Sequence, residues 1–426
     1  MTNPTSPADP PARFGRYRRL PRNIWIVTAA SFLTDISSEM IVHLLPLFLA
    51  NVLGVRTLTI GLIEGLAETT ASLVKLLSGR YSDRLGRRKW LTVAGYALST
   101  AAKPFLLVAN SWPTVLMVRF VERTGKGIRT APRDALIADS ITPKQRGFAF
   151  GLHRAGDTAG AAVGLLVAIL VIWGVHEGSR TLTAPTFQTL VWLSMIPAVL
   201  AVLVLAVGIR ETAVTRPAVD KSRIRWSALG RPFHKFLLVV LIFTLGNSAD
   251  AFLILRAQGG GLTLLQIMLT LLLFNIIFAI LSGPIGSLSD RVGRKRVLTA
   301  GWLLYALIYL GFALAQAGWQ IVTLFAAYAV YYSLSEGVAK ALVADYVGAD
   351  QWGTAYGWFN GAIGLAALPA SLIAGLLWQG AGDWPGLGMW APFLWGGILA
   401  LLAVALLHFW LPSQLNNEAL AEMPSK

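Results

Sequence analysis

The same short charged segment occurs twice in this chain, half the chain apart, each time where a long apolar run ends. The first copy reads G-R-Y-S-D-R-L-G-R-R-K from Gly79 to Lys89, and the second reads G-S-L-S-D-R-V-G-R-K-R from Gly286 to Arg296. A second echo keeps the same offset to within one residue. A-L-I-A-D (Ala135 to Asp139) precedes G-F-A-F-G (Gly147 to Gly151), and A-L-V-A-D (Ala341 to Asp345) precedes G-T-A-Y-G (Gly353 to Gly357). Order and direction are both repeated, so the chain is a parallel internal duplication and must fold into two like halves.

What those halves are made of follows from hydropathy. Apolar residues make up 55% of the chain and charged residues 13%, against roughly a quarter charged in soluble domains. Runs near the roughly 20 apolar residues that a transmembrane helix needs fall at 24–53, 57–79, 90–110, 113–131, 146–174, 187–209, 235–257, 263–286, 297–317, 319–340, 353–379 and 389–411. The expected fold is an all-α integral membrane protein with twelve transmembrane helices in two pseudo-symmetric six-helix bundles. The expected divisions are a tail (1–23), a first bundle (24–209), a basic linker (210–234), a second bundle (235–411) and a second tail (412–426).

The net charge of +15 is not spread evenly. Arg13, Arg16, Arg18, Arg19 and Arg22 crowd the first tail. Arg84, Arg87, Arg88 and Lys89 follow the second helix, and Arg291, Arg294, Lys295 and Arg296 follow the eighth. The linker adds Arg216, Lys221, Arg223, Arg225 and Arg231, while the alternate loops hold little beyond Arg56, Arg180 and Arg256. The positive-inside rule then puts both termini and the even-numbered loops in the cytoplasm of a multi-pass protein, expected in the bacterial inner (plasma) membrane. That explains the charge without nucleic acid. The first 23 residues show no apolar run ending in a cleavage site, so no signal peptide is expected. The absence of cysteine removes disulfides and thiolate chemistry. No loop is long enough for a catalytic domain, and neither a metal-ligand spacing, a nucleophile triad nor a phosphate loop occurs. No cofactor and no enzyme activity are expected.

Both charged copies fit G-x-x-x-D-R-x-G-R-[RK], and on that pattern the whole chain resembles the major facilitator superfamily of secondary transporters. The resemblance implies two bundles around a central cavity that opens to one side at a time. It also implies that Gly79, Asp83, Arg84, Gly86 and Arg87, with Gly286, Asp290, Arg291, Gly293 and Arg294, latch the halves on the cytoplasmic side. Physically, a carboxylate at Asp83 or Asp290 can face a helix N-terminus and pair with neighbouring arginines, while Gly86 and Gly293 permit a tight turn. The plainer alternative is that these arginines only fix topology. Arg133, Asp139 and Asp345 lie at the same end and are assigned to the gating network.

Ionisable residues inside membrane helices mark pathways or buried pairs. Asp35, Glu39 and His43 share a face of the first helix at spacing i, i+4, i+8. Asp35 and Glu39 are candidate proton carriers, and His43 is read as a hydrogen-bonding residue near the outer end. The alternative for Asp35 is a static pair with an arginine of the fourth or fifth helix. Asn247 and Asp250 share a face of the seventh helix; if the repeat is aligned with a short gap, S-A-D-A-F matches S-S-E-M-I and Asp250 is the counterpart of Glu39, which would set facing carboxylates across the cavity. Glu64 and Glu68 are one turn apart on the second helix, with Lys75 too far from Glu68 to pair. On the fourth helix the resemblance implies a coupling arginine, and Arg119 and Arg123 both compete for it; Glu122, Asp134 and Asp157 are possible partners. The fifth helix carries Asp157 and a small-residue stripe of Gly156, Gly160 and Gly164. Drug/proton antiporters of the superfamily have a glycine–proline pair here, and this chain has Gly156-Asp157. Tyr328, Tyr332, Glu336 and Lys340 line one face of the tenth helix, and Trp352, Tyr356 and Asn360 one face of the eleventh. Either stripe is cavity lining or packing.

The functional expectation is alternating-access transport of a small polar, zwitterionic or cationic solute. Coupling to protons is expected, with export by antiport as first choice and a monomer sufficient. The alternatives are proton-coupled symport of a nutrient, transport of a metal or other cation, and a transporter-like receptor or scaffold.

Overall fold

The computed structural model describes residues 20–85, 87–142, 145–175, 180–211, 229–348 and 351–411. Gly86, nearly all of both tails and most of the linker lie outside the described residues, as do the side chains of Asp83 and Arg84. Twelve long helical rods stand among the described residues, and no β-strand does. In the first half they are α1 (Arg22–Val52), α2 (Thr57–Leu85), α3 (Lys89–Val108), α4 (Trp112–Asp139), α5 (Arg146–Val175) and α6 (Ala184–Gly208). In the second they are α7 (Gly230–Gly259), α8 (Leu264–Val292), α9 (Arg294–Leu314), α10 (Gly318–Asp345), α11 (Trp352–Gln379) and α12 (Ala391–Trp410). Ten are apolar and long enough to cross a bilayer; α2 and α4 are not. The reason is chemical: these two carry Glu64, Glu68, Arg119, Glu122, Arg123 and Lys126 in their middles.

Both charged loops are shorter than their sequence suggests. The helical ladder runs through the repeated segment to Leu85 in α2 and Val292 in α8. In the second copy Gly293 then reverses the chain with φ 105°, a conformation that a side chain would resist, and α9 starts at once. The ends that carry these segments are called the basic end below.

Two rods are interrupted at matching places in the duplication. In α1 the ladder lapses at His43 and Leu44, restarts with Pro46 in its first turn and ends in a π-turn from Phe48 to Val52. In α7 it lapses from Asn247 to Asp250, leaving half-helices Gly230–Gly246 and Ala251–Gly259. Irregular backbone at such depth persists where it lines a cavity or is buried in protein.

Small residues bring the rods together. Within the first half, a Cβ on Gly156, Gly160 or Gly164 of α5 would meet Thr28, Phe32 or Ile36 of α1 at 2.4 to 2.6 Å. Across the halves, α2 and α11 pack as closely: Gly61 lies against Ser371, Gly65 against Leu368, and Gly364 against Ser72. Thr57 and Thr69 donate hydroxyl protons to the carbonyls of Gly375 and Gly364 at 3.1 and 2.6 Å. Two buried cations cap helix C-termini, where free carbonyls concentrate negative charge. Arg256 donates to the carbonyls of Phe312 in the last turn of α9 and of Ala315 just past it, so it is a packed part of α7 and not a loop charge. Lys295 donates to those of His408 and Leu411 at the end of α12.

The α1–α5 seam yields a paired test. Gly160→Leu should wedge the seam and cost about 1–3 kcal/mol, lowering the melting temperature of the purified protein. Gly174→Leu, whose Cβ meets nothing within 4 Å, should leave it nearly unchanged.

Candidate substrate and proton pathway

The core of the first half is ionic. Arg119 of α4 is buried and donates to two carboxylates, Oε2 of Glu64 on α2 at 2.7 Å and Oε2 of Glu122 one turn along at 2.9 Å. One turn nearer the basic end, Arg123 pairs with Oε1 of Glu68 at 2.8 Å. The two pairs differ in access. The Arg119 and Glu64 side chains are 3% and 9% exposed, whereas Glu68 is 46% exposed against 8% for Arg123. Arg119 is therefore a sealed tie between α2 and α4, and the Glu68–Arg123 pair faces the space between the halves. The two arginines that sequence could not separate are distinguished by what surrounds them.

On α1, Glu39 and His43 form a pair at 2.7 Å. Asp35, one turn away, has no ion pair or hydrogen bond among the described residues, and the charges that act on it are Asp157, Glu39, Arg129 and Lys126. The static arginine pair considered for Asp35 is thus not formed. Asp157 of α5 stands 3.7 Å from Nε2 of the buried His153. Arg133 bonds Asp134 at 2.9 Å and reaches Ser31 of α1 at 3.4 Å, while Arg129 lies over the Tyr96 ring at 4.3 Å.

The core of the second half is aromatic. Tyr305 and Tyr309 stack with ring centroids 4.0 Å apart, Tyr328 and Tyr331 at 5.3 Å, and Tyr332 crosses Tyr328 edge to face at 5.1 Å. Phe243 and Trp302 stack beneath at 4.4 Å. Asp250, at the α7 break, is exposed to the cavity and accepts a hydrogen bond from the Tyr328 hydroxyl at 3.3 Å. Among the described residues it has no ion pair; His43 of the other half lies within reach of its charge. Asn360 donates to the Tyr356 carbonyl of its own helix at 2.8 Å and is half-buried.

At the basic end, Arg294 bridges Asp290 of α8 at 3.1 Å and Asp345 of α10 at 2.5 Å. Its first-half counterpart in space is Arg88, which reaches Asp139 at 2.5 Å. Sequence pairing pointed to Arg87 for that role, but α3 starts at Lys89, two residues past Arg87, whereas α9 starts at Arg294 itself. Arg87 and Arg291 are exposed and make no ion pair among the described residues. Gly79 lies 3.3 Å from Ala131, measured from where a Cβ would stand, and Gly286 has open space around it. A cleft of about 1030 Å³ opens here between α5 on one side and α8 and α10 on the other. Arg154, Glu336, Lys340 and Arg294 edge it, and Asn275, Phe278 and Tyr332 line it nearer the aromatic core. Arg154 and Glu336 face each other across it at 3.7 Å. The far end is sealed: Arg56 donates to the Gln379 carbonyl, Thr57 N–H to the Gln379 side chain, and Gln258 to the Arg180 carbonyl.

Three further residues were not singled out by sequence. Lys126 is exposed to the cavity beside Glu68 and Asp35, with no ion pair among the described residues; it continues the Arg119–Arg123 stripe by one turn, a readable signal. Lys103 is buried where α3 tightens into a 3-10 turn, and it donates to the Ser37 hydroxyl. Arg88 differs from Arg87 only in register, which no single sequence fixes.

Two like six-helix halves around a charged and aromatic cavity, sealed at one end and cleft at the other, define a secondary transporter. The chain matches the Major Facilitator Superfamily over residues 27–258 and 236–422. An uncharacterized MFS-type transporter of Methanocaldococcus jannaschii is 36% identical over 402 residues, which span 92% of this chain and 96% of the relative. Multidrug resistance protein MdtG of Serratia proteamaculans is 25% identical over 313 residues, 70% of this chain and 73% of MdtG. The solved structure of the nucleoside transporter NupG superposes with a TM-score of 0.74 at 12% identity, covering 91% of this chain and 99% of NupG, a likeness of fold. The chain belongs to the Major Facilitator Superfamily.

The two α4 arginines should behave differently when neutralised. Arg119→Gln leaves Glu64 buried beside an uncharged partner and should cost about 3–5 kcal/mol, read as loss of folded protein in detergent. Arg123→Gln frees a carboxylate that already meets the cavity, so the protein should fold at wild-type yield and lose transport.

Proposed function

We propose that this protein exports a small solute by proton antiport, through alternating access. The observation that carries this reading is the Glu68–Arg123 pair. A carboxylate 46% exposed, bound to a buried arginine, can accept a proton from the cavity and release its partner. Releasing that tie changes how α2 sits on α4, and α2 is the helix packed against α11 of the other half. Proton binding is thereby linked to the contact between the halves. Asp35, unpaired and one turn from the Glu39–His43 pair, offers a second proton acceptor on the same cavity wall. Export rather than uptake is supported by the likeness to MdtG, whose name records multidrug resistance.

The conformation fits this cycle: the cleft is at the basic end, which the positive-inside rule puts in the cytoplasm with both termini. The ion pairs Arg88–Asp139 and Arg294–Asp345 would hold each half rigid there, and Arg154–Glu336 would be the contact that tightens as the cleft closes. The two bundles, 24–209 and 235–411, would move as bodies joined by the linker at 210–234, a monomer being the working unit in the bacterial inner membrane.

The test is proton movement in everted membrane vesicles, followed with a pH-quenched dye as a panel of solutes is added. At least one solute class should collapse the imposed pH gradient, and Glu68→Gln or Asp35→Asn should abolish the response while leaving protein levels unchanged. Labelled solute crossing with no proton movement would instead mean uniport or sodium coupling.

A further inference from the structure

The break in α7 forms a seat that the proton pathway does not use. Asp250 stands at its edge, exposed to the cavity, with only a neutral tyrosine hydroxyl as its hydrogen-bond partner. A second observation comes from Tyr309. Its side chain is fully buried, and its hydroxyl lies among other hydroxyls with none in ideal hydrogen-bond geometry. The polar groups around that hydroxyl are those of Tyr305, Tyr328 and Ser248, and the Asp250 charge acts on it. A membrane-embedded carboxylate surrounded by neutral hydroxyls lacks a counter-charge, and it marks a place that a hydrogen-bonding cation occupies for part of the cycle.

The surroundings select the cation. A hard metal ion takes a full shell of oxygen ligands. Here Asp250 accepts from the Tyr328 hydroxyl, Tyr332 crosses Tyr328 at 5.1 Å, and Phe274 stands edge to face on Tyr332 at 5.4 Å. Aromatic faces with a carboxylate and hydroxyl groups suit an organic ammonium, which gains from both. On the first half Lys126 is the complementary feature: an exposed cation with no ion pair among the described residues, and Glu68 acts on both it and Asp250. The charges facing Asp250 from other elements are His43 on α1 and Glu64 and Glu68 on α2. His43 is already held by Glu39 at 2.7 Å, and the two glutamates by arginines.

We propose that the α7 break binds the ammonium group of a zwitterionic substrate whose anionic end is met by Lys126. This rests on the transport reading, because the substrate must reach a cavity between the halves. Binding needs neither a gradient nor turnover, so it can be tested apart from proton coupling.

The full-length protein, purified in detergent, would be melted in the presence of each of the common free amino acids, their N-acetyl derivatives and their carboxamides. At least one free amino acid should raise the melting temperature, and its N-acetyl form should not. Asp250→Asn should weaken that binding by about tenfold or more, the size of one charge-assisted contact. Tyr309→Phe, which removes a buried hydroxyl near Asp250, should weaken it without lowering the unliganded melting temperature. Lys126→Gln should make amino acid and carboxamide bind alike. Equal stabilisation by the N-acetyl forms, or no stabilisation by any free amino acid, would overturn the proposal. So would stabilisation by sodium over potassium that Asp250→Asn removes, which would make the seat a metal-ion site.

Discussion

A guanidinium in the middle of a membrane protein must be paired, and the two carboxylates that hold Arg119 organise this one. Burying the pair is expensive, and breaking it more so. The Arg119–Glu64 pair therefore ties α2 to α4, with Glu122 holding the guanidinium from its own helix. With α2 set, its glycine and threonine face is presented to α11, and the contact between the halves follows from that. The same requirement explains why α2 and α4 are too polar to stand in lipid alone: their charged faces meet each other, with α11 packed on α2 and α3 packed on α4.

The duplication preserved the scaffold and let the chemistry diverge. Both halves have an interrupted first rod and an arginine reaching an aspartate at the basic end. Between those constants, the first half filled its interior with ion pairs and the second with tyrosines. A cavity with one ionic wall and one aromatic wall can divide labour. Proton exchange needs carboxylates whose partners can be released, and solute recognition needs shaped, polarizable surface with a few fixed polar groups. Nothing about the fold requires that division; it is written in the side chains of α4 and α10.

Much of the architecture was legible because bilayer thickness forces long apolar runs, and a repeat doubles every signal. Twelve rods, two halves and their family follow from hydropathy and the repeated charged segment. The functional residues were legible only as types. Arg119 and Arg123 are equivalent in sequence, and their difference, one sealed and one facing the cavity, arises from which glutamate of α2 lands opposite each. Asp250 was readable as a membrane acid but not as the edge of a helix break. The lapse at Asn247 to Asp250 has no proline to announce it, unlike the restart of α1 at Pro46. Arg88 was hidden by a register shift of one residue between two otherwise matching loops. Lys126 could have been found by extending the α4 stripe one more turn.

The central claim is that the halves rock about the α2–α11 contact, closing the basic end as the far end opens. Because the chain contains no cysteine, two pairs can be labelled cleanly: R154C with E336C across the cleft, and R56C with Q379C across the sealed end. Distances between spin labels on each pair, measured in lipid nanodiscs at high and low pH and with a transported solute, test it most directly. Reciprocal change is predicted, the far-end pair separating in the conditions that bring the cleft pair together. Two pairs that stay fixed, or that lengthen together, would contradict it.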